Sequence, residues 1–290
     1  MKGTNRQGPG DGEWALMTGA LMTGALTAGR GRLRFGAMAL VRGVLKAGRD
    51  CLAVAVDAVL PRLCFSCATP LADQGLLCAA CWSRVGFVSP PACALCGLPF
   101  EYDLGPEALC GACVRRRPAF DRARMVFRYD EASKHLVLRF KHADRVESAA
   151  TFGRWLAAAG VAFKGDDAVI APVPLHWRRL LERRYNQAAI LAEALHRAWG
   201  IGRLQPDLLR RRSWRASQGS LTAAQRRRNV RDAFAVPIRR RPVLEGRRVV
   251  LVDDVMASGA TVNAAARALK KAGAGAVDVL VLARVLKAGG

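Results

Sequence analysis

Apolar positions in the second half of the chain switch between short unbroken runs and helical periodicity. Val249-Val-Leu-Val252 is a run of four apolar residues, and Asp167–Val173 and Ala276–Arg284 are built around similar runs. Runs of this length, bounded by turn residues, predict buried strands. Glu131–Lys141, Glu147–Ala159, Leu180–Trp199 and roughly Val262–Ala272 instead space their apolar residues at three and four, which predicts helices with one apolar face. Arg124–Tyr129, Leu204–Leu209 and Ala233–Val236 read as shorter strands. Strands alternating with helices predict an α/β fold over residues 120–290, a mostly parallel sheet flanked by helices. Ligands on such sheets sit at the carboxyl ends of the strands.

The first part of the chain reads differently. Residues 1–36 are glycine-rich and contain a near-repeat, Ala15-Leu-Met-Thr-Gly-Ala-Leu-Met-Thr-Gly-Ala-Leu26. No basic n-region or long apolar run accompanies it, so neither a secretory signal nor a membrane span is predicted. A disordered low-complexity extension is expected there. Phe35–Leu60 has helical periodicity, but Arg42, Lys46, Arg49, Asp50 and Asp57 exclude a span. Residues 37–62 are expected to form a helix that packs on the next module, with a peripheral membrane helix as the weaker alternative.

Cysteine spacing defines that module. Eight of the nine cysteines form four CxxC pairs: Cys64/Cys67, Cys78/Cys81, Cys93/Cys96 and Cys110/Cys113. Each pair offers two thiolates to one metal, and two pairs complete a tetrahedral Cys₄ site. The segment also repeats itself: Cys64-Phe-Ser-Cys-Ala-Thr-Pro-Leu71 is similar to Cys93-Ala-Leu-Cys-Gly-Leu-Pro-Phe100. Pairs one and two therefore make one ribbon, and pairs three and four a second, over residues 63–118. Two structural Zn²⁺ are expected, supplying on the order of 10 kcal/mol of folding free energy that such a small module cannot draw from a core. An iron–sulfur cluster is the alternative. Disulfides require an oxidising compartment, and a cytoplasmic location is expected. Cys51 stands apart as a small buried hydrophobe.

The chemistry concentrates after the Val249–Val252 strand. Two carboxylates, Asp253 and Asp254, are followed by the turn Ser258-Gly-Ala-Thr261 and then a helix. Helix N-terminal N–H groups and the two hydroxyls suit a phosphate. Gly259 permits close backbone approach. Carboxylates at that place suit vicinal ribose hydroxyls and a nearby diphosphate-bound Mg²⁺. The pattern resembles the 5-phosphoribosyl-1-diphosphate (PRPP) motif of type I phosphoribosyltransferases. The plain alternative is an ordinary strand–turn–helix with a solvated acid pair.

Two further segments belong to the same predicted edge. Pro172-Val-Pro-Leu-His-Trp-Arg-Arg179 leaves a strand end, and Arg178 and Arg179 suit a diphosphate. Arg212–Asn229 is long, polar and poor in apolar residues, and is expected to be a mobile hood over the substrate, with Gln218, Arg227, Arg228 and Asn229 as anion contacts. The formal net charge is +23, and nineteen Lys/Arg against five Asp/Glu lie between Arg178 and Arg248. That excess fits an anionic partner as well as it fits an arginine-rich solvated surface.

Taken together, the cysteine pairs, Phe140-Lys141, Pro172-Val-Pro174, Arg184-Tyr-Asn-Gln187, Gln218 with Arg228-Asn229, and Val252–Thr261 resemble the ComF family over about residues 57–284. The resemblance implies a type I phosphoribosyltransferase-like domain behind a double zinc ribbon, and a part in DNA uptake during natural transformation. It implies PRPP, or a related phosphosugar, held by Asp253, Asp254, Ala257, Ser258, Gly259, Ala260, Thr261, Arg178, Arg179 and Lys141, with Asp253 and Asp254 catalytic. Mg²⁺, and contact with competence machinery, follow from the same resemblance. This chain departs from the family at Arg184-Tyr185, where the family has Gly-Phe, and at Ala257-Ser258, where it has Thr-Thr. Ala257 also leaves no carboxylate where purine-salvage phosphoribosyltransferases carry one. The rival expectation is a non-catalytic protein that binds single-stranded DNA, with Trp177, Tyr185 and Trp214 among arginines to stack bases. A zinc hydrolase is disfavoured because the cysteines leave no open metal position.

Overall fold

The structure is a computed structural model that describes residues 63–71, 76–142, 147–175, 185–212 and 233–286. Its centre is a five-stranded parallel sheet. In chain order the strands are β1 (Arg122–Arg128), β2 (Val169–Pro172), β3 (Arg203–Leu204), β6 (Arg248–Met256) and β7 (Ala276–Arg284). They lie in the order β1-β7-β6-β2-β3. A separate antiparallel pair is formed by β4 (Arg210–Arg211) and β5 (Phe234–Ala235). The mostly parallel sheet predicted from the apolar runs is what the chain forms.

Each long strand is buried on both faces. On one face Val249, Leu251, Val277, Val279 and Val281 pack with Val262, Ala265, Ala266 and Leu269 of helix α7 (Ala260–Lys271). On the other, Val250, Val252, Leu280 and Leu282 meet helices α3 (Glu131–His142), α4 (Glu147–Ala159) and α5 (Gln187–Trp199) through Leu136, Phe152, Leu156, Leu191 and Leu195. Strands without a solvent face are written as apolar runs rather than as alternation. Among the described residues, one charged side chain lies fully within this core. Asp278 on β7 is fully buried and accepts hydrogen bonds from Arg122 of β1, at 2.9 and 3.2 Å, and from Arg248 of β6. The pair of guanidinium groups compensates its desolvation and ties the starts of three strands together.

The cysteine module grips the outer edge of β1 from both faces. Residues 93–113, with the short helix α2 (Gly111–Arg115), contribute their cysteines to the core beside α7. Cys64 and Phe65 belong to the opposite core, with α3 and α4. Helix α1 (Ala79–Trp82) ends in Trp82, whose ring contacts Phe87 and Trp155. Main-chain bonds close the edge itself: Val88 N donates to Val126 O at 2.9 Å, Arg128 N to Gly86 O at 2.8 Å, and Ala123 N to Leu95 O at 2.7 Å.

Several boundaries differ from the sequence expectation. Leu204–Leu209 is not one strand. Arg203–Leu204 pairs with β2, the chain turns at Pro206–Asp207, and Arg210–Arg211 joins the other sheet. Pro206 lacks an N–H for a ladder, and Asp207 accepts from Arg240 at 2.5 Å, which holds the turn. Strand β6 runs on through the acid pair to Met256, and α7 begins at Ala260, so Ala260 and Thr261 lie in its first turn rather than ahead of it. The helix expected from Leu180 is described from Gln187, where Asn186 caps it by accepting from Ala188 N at 3.1 Å. The expected 1–36 extension, the 37–62 helix with Cys51, and the start of the Leu180 helix lie outside the described residues. Among the described residues no helix is long and apolar enough to cross a membrane.

Helices α4 and α5 touch through a glycine. A Cβ placed at Gly153 would lie 2.6 Å from the carbonyl carbon and oxygen of Ala194. Gly153→Ala is therefore expected to force the helices apart at a cost of about 1–3 kcal/mol and to lower Tm by several degrees, read by circular dichroism. An unchanged Tm would mean that α4 and α5 do not meet there.

Candidate functional site

Strand β6 carries Asp253 and Asp254 out at the carboxyl edge of the sheet. Its pairing with β2 ends at Pro172↔Val252, whereas its pairing with β7 continues to Met256↔Arg284. From Asp253 onward one side of β6 is thus free of a strand neighbour. Asp253 accepts from the N–H of Asp254 at 2.9 Å, and Asp254 from that of Val255 at 2.6 Å. Lys141, in the last turn of α3, pairs with the second oxygen of Asp254 at 3.1 Å. Burial and the neighbouring Asp254 charge both raise Asp253 well above the usual carboxylate range.

The turn after β6 leads into α7. Gly259 holds the helix N-cap position at φ 72°, a left-handed conformation that glycine adopts without strain, and no side chain caps the helix. The first-turn N–H groups therefore remain available to an anion. Ala257 and Ser258 are exposed, and Gly259, Ala260 and Thr261 half-buried. A Cβ at Gly259 would meet nothing closer than 3.5 Å, so a larger residue there would be strained by φ rather than by a neighbour. Asn263 braces the turn: its amide donates to Gly259 O at 2.9 Å and its oxygen accepts from Ala119 N at 2.6 Å. Sequence reasoning missed Asn263, although an Asn one turn into a helix after a glycine N-cap is a signal of such bracing.

Pro172-Val-Pro174 reaches the same edge. Val173 N donates to Val252 O at 2.9 Å, and Asn186 donates its amide to Val173 O at 3.1 Å. Tyr185, half-buried, donates to Phe140 O at 3.3 Å. It serves the end of α3 beside Lys141, in keeping with a packing role. Of the sequence-predicted residues, Asp253, Asp254, Lys141 and 257–261 come together at this edge. Arg178, Arg179, Gln218, Arg227, Arg228 and Asn229, with Trp177 and Trp214, lie outside the described residues.

The cysteines gather into two sets, Cys64/Cys67/Cys78/Cys81 and Cys93/Cys96/Cys110/Cys113, each with its four sulfurs within 4.8 Å of one another. This is the donor set of a closed tetrahedral zinc site. Main-chain N–H groups donate to sulfur: Cys78 to Cys64 at 3.4 Å, and Cys96 and Cys110 to Cys93 at 3.5 and 3.3 Å. Burial raises the Cys93 thiol, but these donors outweigh it and bring the group to about 7. At Cys67 the Thr69 hydroxyl, 3.1 Å away, leads in lowering the thiol to about 6. Both favour the thiolate that binds metal. Arginines hold the knuckle carbonyls: Arg139 donates to Phe65 O at 2.6 Å, and Arg284 to Cys96 O. All four sulfur-bearing residues of the second set are buried, whereas Cys67 is exposed and Cys78 and Cys81 half-buried.

Comparison with known proteins agrees with this layout. The double zinc ribbon domain family matches residues 55–114, and the phosphoribosyl transferase domain family residues 189–288. The chain is similar to the DNA utilization protein YhgH of Escherichia coli O6:H1, at 33% identity over 78% of this chain and 99% of the relative. Competence protein F of Haemophilus influenzae is 32% identical over 74% of this chain and 92% of its own length. Competence protein ComFC of Bacillus subtilis is 27% identical over 68% and 79%. Fold and sites thus define a phosphoribosyltransferase-type domain joined to a double zinc ribbon. The chain belongs to the ComF family of such proteins.

Two outcomes follow. Metal analysis of purified protein should find two zinc ions per chain, and a chelator should remove the first from the more exposed Cys64 set before it touches the buried Cys93 set. A single ion contradicts the two-site geometry, and simultaneous loss of both contradicts the ordering by burial. For Asp253, the raised folded-state pKa means that its contribution to stability is full below the ordinary carboxylate range and is lost as pH rises through the folded value. Asp253→Asn keeps the oxygen that accepts from Asp254 and removes the charge. The variant should melt a few degrees above wild type at pH 7–8, with the gap closing as pH falls toward 4, by calorimetry.

Proposed function

We propose that this protein binds Mg²⁺-PRPP at the carboxyl edge of β6 and transfers its phosphoribosyl group to an acceptor. The observation that carries this reading is the convergence there of a strand-end acid pair, an uncapped helix N-terminus behind a left-handed glycine, and a lysine paired with one of the acids. Asp253 uses one carboxylate oxygen to accept from Asp254 N, and its other oxygen suits the ribose hydroxyls. Both oxygens of Asp254 are engaged, by Val255 N and by Lys141, so Asp254 orients the lysine toward the ligand's phosphates. The N–H groups of 260–262 and the hydroxyls of Ser258 and Thr261 take the 5-phosphate.

In the transfer, the bond from the anomeric carbon to the diphosphate oxygen breaks as the acceptor's lone pair forms its bond. The diphosphate departs with the bonding electrons. An edge made of fixed N–H groups and cations stabilises that charge without reorganising. Mg²⁺, bound with the diphosphate, would supply further neutralisation, and Asp253, once ionised, would be a hard oxygen ligand for it, while Asp254 stays with Lys141. The names of the relatives speak of competence and DNA utilization, and we place this chain's chemistry in the same process. The two Cys₄ sets, which need reduced thiols to hold metal, fit the cytoplasm as its place of action.

Isothermal titration of the full chain with PRPP, with and without Mg²⁺, tests this. Wild type should bind with Mg²⁺, and Asp253→Asn and Lys141→Ala should each weaken binding by roughly 10- to 100-fold, the range of a lost charged hydrogen bond. Wild type that does not bind PRPP, or variants that bind it as wild type does, would overturn the assignment.

A further inference from the structure

The turn between β6 and α7 is made of small residues, and its shape has to be imposed from outside. Ala257, Ser258 and Gly259 bring no large side chain, and glycine loses more conformational freedom on ordering than any other residue. A turn that presents N–H groups to an anion works best when it is held before the anion arrives. The far end of α7 has such a hold. Just after helix α6 (Arg241–Leu244), Gly246 N donates to Gly273 O at 3.0 Å, and Gly275 N donates to Arg247 O at 2.9 Å.

The near end is held at both sides of the turn, and both holds lead to the second ribbon. Strand β6 delivers the chain to the turn at Met256, whose register partner on β7 is Arg284. Val285 N donates to Met256 O at 3.0 Å, and the Arg284 side chain donates to Cys96 O in the knuckle of the second ribbon. At the exit from the turn, Gly259 O accepts from the main chain and from the side chain of Asn263, each at 2.9 Å. The Asn263 oxygen accepts from Ala119 N at 2.6 Å. Ala119 lies in the segment that leaves the ribbon's helix α2 for β1, and Phe120 beside it is buried with Cys93, Cys96, Cys110 and Cys113.

Helix formation alone does not account for Asn263. Asparagine is a poorer helix former than alanine, and α7 carries alanine at its next three positions, Ala264, Ala265 and Ala266. The Asn263 amide is instead used in two directions, toward the turn and toward the ribbon segment. The first ribbon makes a different connection: its knuckle is held from α3 by Arg139, two residues before Lys141.

We propose that the second ribbon is a clamp on the phosphate turn, with Arg284 at the entry and Asn263 at the exit as positioning residues for the 5-phosphate. The identity of the ligand rests on the phosphoribosyl reading; the clamp rests on the bonds above.

Hydrogen exchange read by mass spectrometry on the full chain tests the clamp, and calorimetric titration with ribose 5-phosphate tests its effect. Asn263→Ala and Arg284→Met should each raise deuterium uptake in the peptide spanning residues 256–263, with β2 and α5 at wild-type levels and zinc content unchanged. Asn263→Ala should weaken ribose 5-phosphate about 3- to 10-fold, the range of one lost neutral hydrogen bond. Lys141→Ala, on the other side of the acid pair, should leave uptake in the turn as in wild type. Uptake in 256–263 that stays unchanged in either variant overturns the proposal, as does uptake that rises equally across the ribbons and the sheet. It is also overturned if wild type binds ribose 5-phosphate and Asn263→Ala binds it equally well. If wild type binds neither ribose 5-phosphate nor PRPP, the phosphoribosyl reading fails, and the exchange result alone decides the clamp.

Discussion

Everything at the candidate site depends on how β6 loses one neighbour before the other. Through Val252 it is paired on both sides, and its main-chain groups are satisfied. Pro172 then ends β2, while β7 accompanies β6 for four residues more. A strand held on one side only stays rigid yet opens its other side to solvent. The two carboxylates fall in that interval. Preorganisation of this kind comes from ladder geometry, and the loops above it need only complete the enclosure.

The same logic of neighbours applies at the opposite border of the sheet. Strand β1 has β7 on one side, and its other side would present open hydrogen-bonding groups, a template for unwanted pairing. The cysteine module occupies that side through Gly86, Val88 and Leu95. Because each ribbon joins the core on a different face, metal binding and sheet packing support one another. Arg139 links the two regions directly: it holds the first knuckle from helix α3, two residues before Lys141.

What the sequence made legible was local or periodic. Apolar runs marked the doubly buried strands, CxxC spacing paired with internal repetition marked the two cysteine quartets, and the acid pair after an apolar run marked the edge. Contacts between distant segments left no such trace. Asp278 meets Arg122 across 156 positions, and nothing in a run of Val-Asp-Val announces a buried carboxylate shared by two arginines. Lys141 is named only through the family resemblance and Asn263 not at all; packing brings them in, one through the end of a helix and the other through a link to Ala119. Where an apolar stretch held a proline, as in Leu204–Leu209, the apolar content recorded burial and the backbone chemistry decided the shape. Leu208 and Leu209 are indeed buried, but in a turn.

The two ribbons repeat one fold under unequal constraints. Ala68 and Gly97 occupy equivalent left-handed positions, at φ 61° and 67°. Ala68 is exposed, and its side chain accepts the strain of that conformation. A Cβ at Gly97 would lie 2.5 Å from the carbonyl oxygen of Ala123. One copy is therefore held against the sheet at this point, and position 97 admits no side chain. The other, though anchored through Cys64 and Phe65, keeps the Ala68 end of its knuckle in solvent, where a change of side chain alters what the protein presents to its surroundings without disturbing what holds it together. Duplication has left this small module with two anchored copies, one of which keeps a free tip on which new recognition can be written.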